Sequence, residues 1–175
     1  DHLMWSGGDD GTLALWDVRA PATDELSAVM RRRFDAGVVT IVVGATAPHE
    51  LIVGSYDENL CVLDRRALKR PLSSVAVGGG AWRCRKAPGQ SSSSSTQFVV
   101  AAMQGGASIV EWNSATTTLS VLEEGLLHSV DDHPAPNGTE GVLVYDAVFL
   151  NDEHTIATSS FYNQTIKIWE RAMVE

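Results

Sequence analysis

His128, Asp131, Asp132 and His133 place two histidines and two carboxylates within six residues of this 175-residue sequence. A histidine with an ordinary pKa of about 6.5 takes up and returns protons near neutrality, and a neighbouring carboxylate can orient it. The cluster therefore suits general-base work. It suits a solvated polar loop equally, and residue type alone leaves both readings open. Its histidines do not fall at a zinc-ligand spacing, and no Gly-x-Ser-x-Gly segment supplies a nucleophile elbow. Cys61 and Cys84 lack a Cys-x-x-Cys spacing and read as small apolar core residues. No metal, cofactor or disulfide framework is expected, and a reducing cytoplasmic setting is the default expectation.

A second kind of chemistry is recognition by aromatic rings. Tyr56, Trp82, Tyr145 and Tyr162 recur at matching points of an internal repeat, and Arg83 adds a cation beside Trp82. Tyrosine and tryptophan are enriched at binding hot spots. An aromatic rim also attracts quaternary ammonium groups, at roughly 0.5–2 kcal/mol per contact. Ordinary packing between neighbouring units is the competing reading. For Arg83 the alternatives are a substrate carboxylate and an internal salt bridge.

The elements that must position these residues are hairpins. Trp5-Ser-Gly-Gly-Asp-Asp-Gly-Thr-Leu-Ala-Leu-Trp16-Asp17 has the same outline as the stretches Ile52–Asp64, Ala101–Asn113 and Ile156–Glu170. Trp16, Leu63, Trp112 and Trp169 anchor the copies at successive spacings of 47, 49 and 57 residues. These are slightly long for blades of four strands, which repeat at roughly 40–45 residues. Trp16-Asp17 is the dipeptide of the WD40 class, which the chain resembles, and Asp10 and Asp57 stand where such repeats carry an aspartate that ties loop to loop; Gly106 and Asn163 replace it in the later copies.

The predicted fold is all-β: a partial WD40 β-propeller of about three and a half to four blades, spanning approximately 1–33, 34–77, 78–122 and 143–170. Residues 123–142 are expected to form a loop on the top face, and further N-terminal blades of a larger ring are expected as neighbours. Ser27–Phe34 reads as an outer strand whose Arg31–Arg33 run is solvated, an anion site being the alternative. Ser91–Ser95 is low in complexity and reads as disordered. Aligning the first strands of the blades puts Val39, Trp82 and Tyr145 at one early position facing the central channel. A formal charge of −9 and no basic stripe argue against a nucleic-acid partner. The longest apolar run, Val38–Val43, falls far short of the ~20 residues of a membrane helix.

Within this class the order of several segments is more particular: Gly54-Ser-Tyr-Asp-Glu58, Gly79-Gly-Ala-Trp-Arg83, Val100-Ala-Ala-Met103 and Ala157-Thr-Ser-Ser-Phe-Tyr162. Over essentially its whole length the chain resembles the diphthine methyl ester hydrolase family, also labelled diphthine methyltransferase. The resemblance implies removal of a methyl ester from over-methylated diphthine on elongation factor 2, in diphthamide biosynthesis. It also implies His133 as base with Asp131 or Asp132 orienting it. Tyr56, Trp82, Arg83, Tyr145 and Tyr162 would then hold the substrate. The family's Tyr-Gly-Ala-Asp-Trp segment stands here as Tyr145-Asp-Ala-Val-Phe149, so its acid is replaced by Val148 and Asp146 lies two residues early. A non-catalytic scaffold that binds partner proteins on the top face is the alternative function.

Overall fold

Fourteen antiparallel strands in four sheets, and no helix, account for the regular structure of the described residues in a computed structural model: 2–19, 28–44, 46–89, 94–126, 143–151, 153–162 and 164–171. The first sheet holds β1 (Leu3–Gly7), β2 (Thr12–Asp17) and β3 (Met30–Arg33). The second holds β4 (Val38–Val43), β5 (Glu50–Ser55), β6 (Asn59–Asp64) and β7 (Ser73–Ala76). The third holds β8 (Arg83–Lys86), β9 (Ser95–Ala101), β10 (Ala107–Asn113) and β11 (Thr118–Glu123). The fourth holds β12 (Val144–Phe149), β13 (Thr155–Ser160) and β14 (Thr165–Glu170). In every sheet the strands pair in chain order, the up-and-down meander of propeller blades.

Three apolar layers lie between the four sheets, and the period-2 alternation of the central strands explains them. Along β5, Leu51 and Val53 pack towards the first sheet with Leu13, whereas Ile52 packs towards the third with Phe98 and Trp112. Every residue of β5 is buried, because a neighbour covers each face. The third layer joins Val99 and Ile109 to Val144, Phe149 and Ile156.

The tryptophan anchors use their indole N–H in two ways. Trp16 donates to Ser6 Oγ and Trp169 to Thr158 Oγ1, each at 2.8 Å within its own sheet. Trp112, fully buried, reaches across to Glu50 Oε2 in the second sheet at 3.1 Å. A second link between sheets is Arg171, which donates to Glu123 Oε1 (2.7 Å), Gln97 Oε1 (3.0 Å) and the Glu153 carbonyl (2.8 Å). Asp17 and Asp64 each clamp the arginine two residues on, and hydrogen bonds from Arg19 and Arg66 hold their carboxyls down to about 2.

Three expectations change. Asp10 and Asp57 do not tie loop to loop: Asp10 accepts from the Thr12 N–H (2.9 Å) and hydroxyl, and Asp57 from the Asn59 N–H (3.0 Å), each capping its own turn. Two residues is the reach of an Asx turn. The expected disorder of 91–95 stops short of Ser95, which begins β9 opposite Asn113, while the Ser94 carbonyl accepts from the Ser114 N–H; ladder bonds override composition there. Residues 91–93 of that segment lie outside the described residues. The Arg31–Arg33 run is solvated only at Arg31 and Arg33. Because strand residues alternate faces, Arg32 turns inward, donates to the Leu68 carbonyl, and lies over the Phe34 ring at 5.0 Å.

Cys61 and Cys84 are buried and unpaired, and burial pushes both thiols up to about 12. The thiolate is the reactive form. At pH 8, therefore, a thiol-specific reagent should label neither cysteine in the folded protein and both after denaturation. Rapid native-state labelling, read by mass spectrometry, contradicts the packing described.

Candidate functional site: an aromatic rim

Breaks in strand pairing create the site. The ladder between β4 and β5 shifts register between Val38 and Thr40, leaving Val39 out of the pairing. Between β12 and β13 the same shift leaves Tyr145 out. Trp82 stands just before β8 and donates its N–H to the carbonyls of Gly80 (2.7 Å) and Ala101 (2.9 Å). An unpaired residue at a bulge is free to be re-aimed. These are the three positions that alignment of the first strands picks out.

Two of the three carry rings, and the top turns supply more. Tyr56 and Trp82 have ring centroids 5.8 Å apart, and Trp82 and Tyr145 are 5.6 Å apart and nearly perpendicular. Tyr145 then meets Phe161 at 5.9 Å and Tyr162 at 6.4 Å. A continuous aromatic surface thus crosses the second, third and fourth sheets. Such spacings and tilts suit the ring quadrupole and contribute about 0.5–1.5 kcal/mol per pair beyond area burial.

Sequence reasoning missed Phe161 as a member of this group. It sits at the tip of the β13–β14 turn and is 70% exposed, far more than Tyr56 and Tyr162 at 40%. The available signal was a large apolar residue where a hairpin tip is ordinarily polar.

Glycines fix where the rings stand. A Cβ on Gly37 would lie 3.0 Å from the Tyr56 ring, and one on Gly80 would lie 3.2 Å from its other edge. At Gly79 a Cβ would fall 1.9 Å from the Ala102 carbonyl oxygen, so the backbones of the β7–β8 and β9–β10 connections pass too closely for any side chain. That approach sets the height at which Trp82 enters the rim.

Polarity is confined to the phenols and one cation. Burial, and then a hydrogen bond with Tyr162, raise the Tyr145 phenol above its usual value, so its hydroxyl stays protonated at physiological pH. Arg83 is exposed and has no ion pair among the described residues. Asp146 is committed: Arg85 Nε lies 3.1 Å from its Oδ1 and Arg85 Nη2 2.7 Å from its Oδ2. Both partners are roughly two-fifths exposed, and such a pair stabilises by about 1 kcal/mol at most. Val148 lies on β12, partly exposed.

His128, Asp131, Asp132 and His133, together with Asn163, lie outside the described residues. Among the described residues no three His, Cys, Asp or Glu side chains gather as metal ligands. Among the described residues the rim thus combines ring faces and phenol hydroxyls with the cation of Arg83 and the Arg85–Asp146 pair.

No protein-family profile matches the chain. It is similar to a protein of Dictyostelium discoideum named "Diphthine methyltransferase homolog", 28% identical over 183 residues, covering 97% of this chain and 47% of the relative. "Diphthine methyltransferase" of Schizosaccharomyces pombe is 24% identical over 172 residues, covering 97% of this chain and 48% of the relative. The Homo sapiens protein of that name is 38% identical over a shorter stretch of 87 residues, half of this chain and 19% of the relative. The chain spans about half the length of the curated relatives it matches end to end. Among solved structures, a chain of the "Crystal Structure of Mitotic Checkpoint Complex" superposes with a TM-score of 0.67 at 16% identity, over 98% of this chain and 46% of that one. The "C-Terminal WD40 Domain Of Sif2" gives 0.66 at 15%, over 98% and 43%. The four sheets are blades of a WD40 propeller.

Proposed function

We propose that this WD40 propeller segment, homologous along nearly its whole length to proteins named diphthine methyltransferase, acts in diphthamide biosynthesis by hydrolysing the methyl ester of methylated diphthine on elongation factor 2. The observation that carries the reading is the unbroken run of rings from Tyr56 through Trp82 and Tyr145 to Phe161 and Tyr162. Diphthine carries a trimethylammonium group, and a cation without N–H donors is held by ring faces and not by hydrogen bonds. The exposed ring faces are electron-rich and attract the cation. Arg83, beside Trp82, supplies a charge for the carboxylate that hydrolysis leaves behind.

In the reaction, water adds to the ester carbonyl carbon while a base takes its proton. The tetrahedral oxyanion collapses, the carbon–methoxy bond breaks, and methoxide leaves with a proton as methanol. We assign the base to His133, oriented by Asp132 or Asp131, on the long connection between β11 and β12. That connection joins the blade ends that carry the aromatic rim, which supports the assignment. His133→Ala in the full-length protein is expected to lower kcat by about 10²- to 10⁴-fold with little change in KM. A wild-type rate for that variant removes His133 from the mechanism.

The relatives' name speaks of methyl transfer, and the direction of transfer is the point to test. Full-length protein incubated with methylated-diphthine elongation factor 2 should release one methanol per factor, with loss of 14 mass units from the modified residue, the replacement of CH3 by H. A non-catalytic scaffold on the WD40 fold would bind the factor and release none. That second reading draws on the fold itself, which hosts many binding functions.

A further inference from the structure

Arg31–Arg33 and the 65–72 connection are distant in the chain, and the fold brings them together at the outer edge of the first two sheets. Between them opens a cleft of about 720 Å³, with Met30 to Arg33 on one side and Arg66 to Lys69 on the other. Arg65 and Arg70 flank the second wall. Three basic residues in the run and four in the connection make seven of the chain's 13, gathered in a protein of formal charge −9.

The cations here are only partly compensated: Asp10 shares an adjoining cleft with Arg31 and Arg33 and interacts with both. No carboxylate lines the cleft among the described residues. Asp64 neutralises Arg66 alone, at 2.7 Å, and Asp35 and Asp57 line a separate, smaller cleft beside Arg32 and Arg33. Arg31 lies 5.8 Å from the Trp16 ring centroid and Arg33 Nη1 is 3.4 Å from Thr12 Oγ1, contacts that hold position without removing charge. Arg32 Nε is buried and has no acceptor among the described residues. That nitrogen is too deeply buried to be a docking contact itself, but the guanidinium keeps its charge beside the cleft.

We propose that this cleft docks an extended acidic segment of a partner protein. The cations follow a strand and a loop and do not converge on a point, which matches a row of carboxylates better than a single phosphate. Among the described residues β3 pairs with β2 alone, so its outer edge offers backbone groups to an added strand. Nucleic acid fits less well. The net charge repels it, and the two nearby ring faces, Trp16 and Phe34, are already covered by Arg31 and Arg32, which leaves no stacking platform. The 65–72 connection leaves β6 at the end opposite the Tyr56 turn, so docking here and binding at the aromatic rim are compatible. The inference does not depend on ester hydrolysis.

The test uses full-length protein and a fluorescein-labelled glutamate-rich peptide, followed by anisotropy. Binding should weaken steeply with added salt. The triple variant Arg31→Glu, Arg33→Glu, Lys69→Glu should lose about tenfold or more in affinity, whereas a charge-matched triple at Arg19, Lys86 and Lys167 should keep it. If the reversals impair folding, the glutamine versions at the same three exposed sites should still weaken binding several-fold. The proposal is overturned if wild type ignores the peptide or if both triples lose equally. It is also overturned if millimolar inorganic phosphate displaces the peptide at constant ionic strength, or if single-stranded RNA binds more tightly.

Discussion

Gly79→Ala is expected to destabilise the full-length protein by about 3 kcal/mol, a large loss for a buried residue with no side chain of its own. The added Cβ would stand 1.9 Å from the Ala102 carbonyl oxygen and 2.8 Å from the Gly105 nitrogen, both backbone atoms in a neighbouring connection. Neither can swing aside as a flexible side chain would. One of the two connections must move, and Trp82, three residues on, moves with it. Activity should therefore fall by more than the loss of folded protein explains. Gly89→Ala is the control: its Cβ would meet nothing within 4 Å, but its φ of 77° is left-handed. It should cost only about 1 kcal/mol, from backbone strain alone, and leave activity unchanged. Denaturant unfolding compares the two. Equal, small losses would mean that the close approach at Gly79 carries no energy.

Trp82→Ala combined with Tyr145→Ala is expected to reduce kcat/KM towards methylated-diphthine elongation factor by about 10- to 100-fold, with the effect largely in KM. Two cation–π contacts of roughly 1 kcal/mol each amount to about 2 kcal/mol, and each 1.4 kcal/mol is a factor of ten. Holding the trimethylammonium away from the reacting ester binds ground state and transition state alike, so KM should rise. Trp82→Phe with Tyr145→Phe keeps the ring faces and should retain most of the activity. If the rings serve packing alone, the alanine pair will lower the unfolding free energy while kcat/KM per folded molecule stays constant. The phenylalanine pair also tests the hydroxyls. Tyr145 is held neutral by burial and by Tyr162. Its raised value gives a stabilisation that is complete below pH 10 and drains away as pH rises through the folded-state value.

The two variants probe different layers of the same construction. Gly79 belongs to the segment Gly79-Gly-Ala-Trp-Arg83, which appears in the sequence as a motif without an evident reason. Its reason is geometric: the first glycine lets two backbones touch, the second admits the Tyr56 ring, and Trp82 then enters at the height of its neighbours. Sulfur lies against that arrangement too, since a Cβ on Gly80 would meet Met103 Sδ at 3.0 Å. The connection at Gly79 and Gly80 is thus packed tightly beneath the rim, whereas the turn at Gly89 is open.

The sequence by itself determined the repeat, and the repeat determined the architecture. Trp16, Leu63, Trp112 and Trp169 recur with hairpins around them, and a hairpin apolar on both faces has to be sandwiched between neighbours. The strand positions of the second sheet, the burial of both cysteines and the common placement of Val39, Trp82 and Tyr145 were legible for that reason. Tertiary structure alone decided the rest, because it depends on which distant segments meet. Asp10 and Asp57 turn to their own hairpins, Asp146 is taken by Arg85 from another sheet, and Phe161 joins the rim from a turn tip. Arg32 finds the carbonyl of Leu68, and that single contact joins two basic segments into one cleft. Local pattern fixes which face a side chain takes; only the packing of sheet against sheet fixes what it finds there.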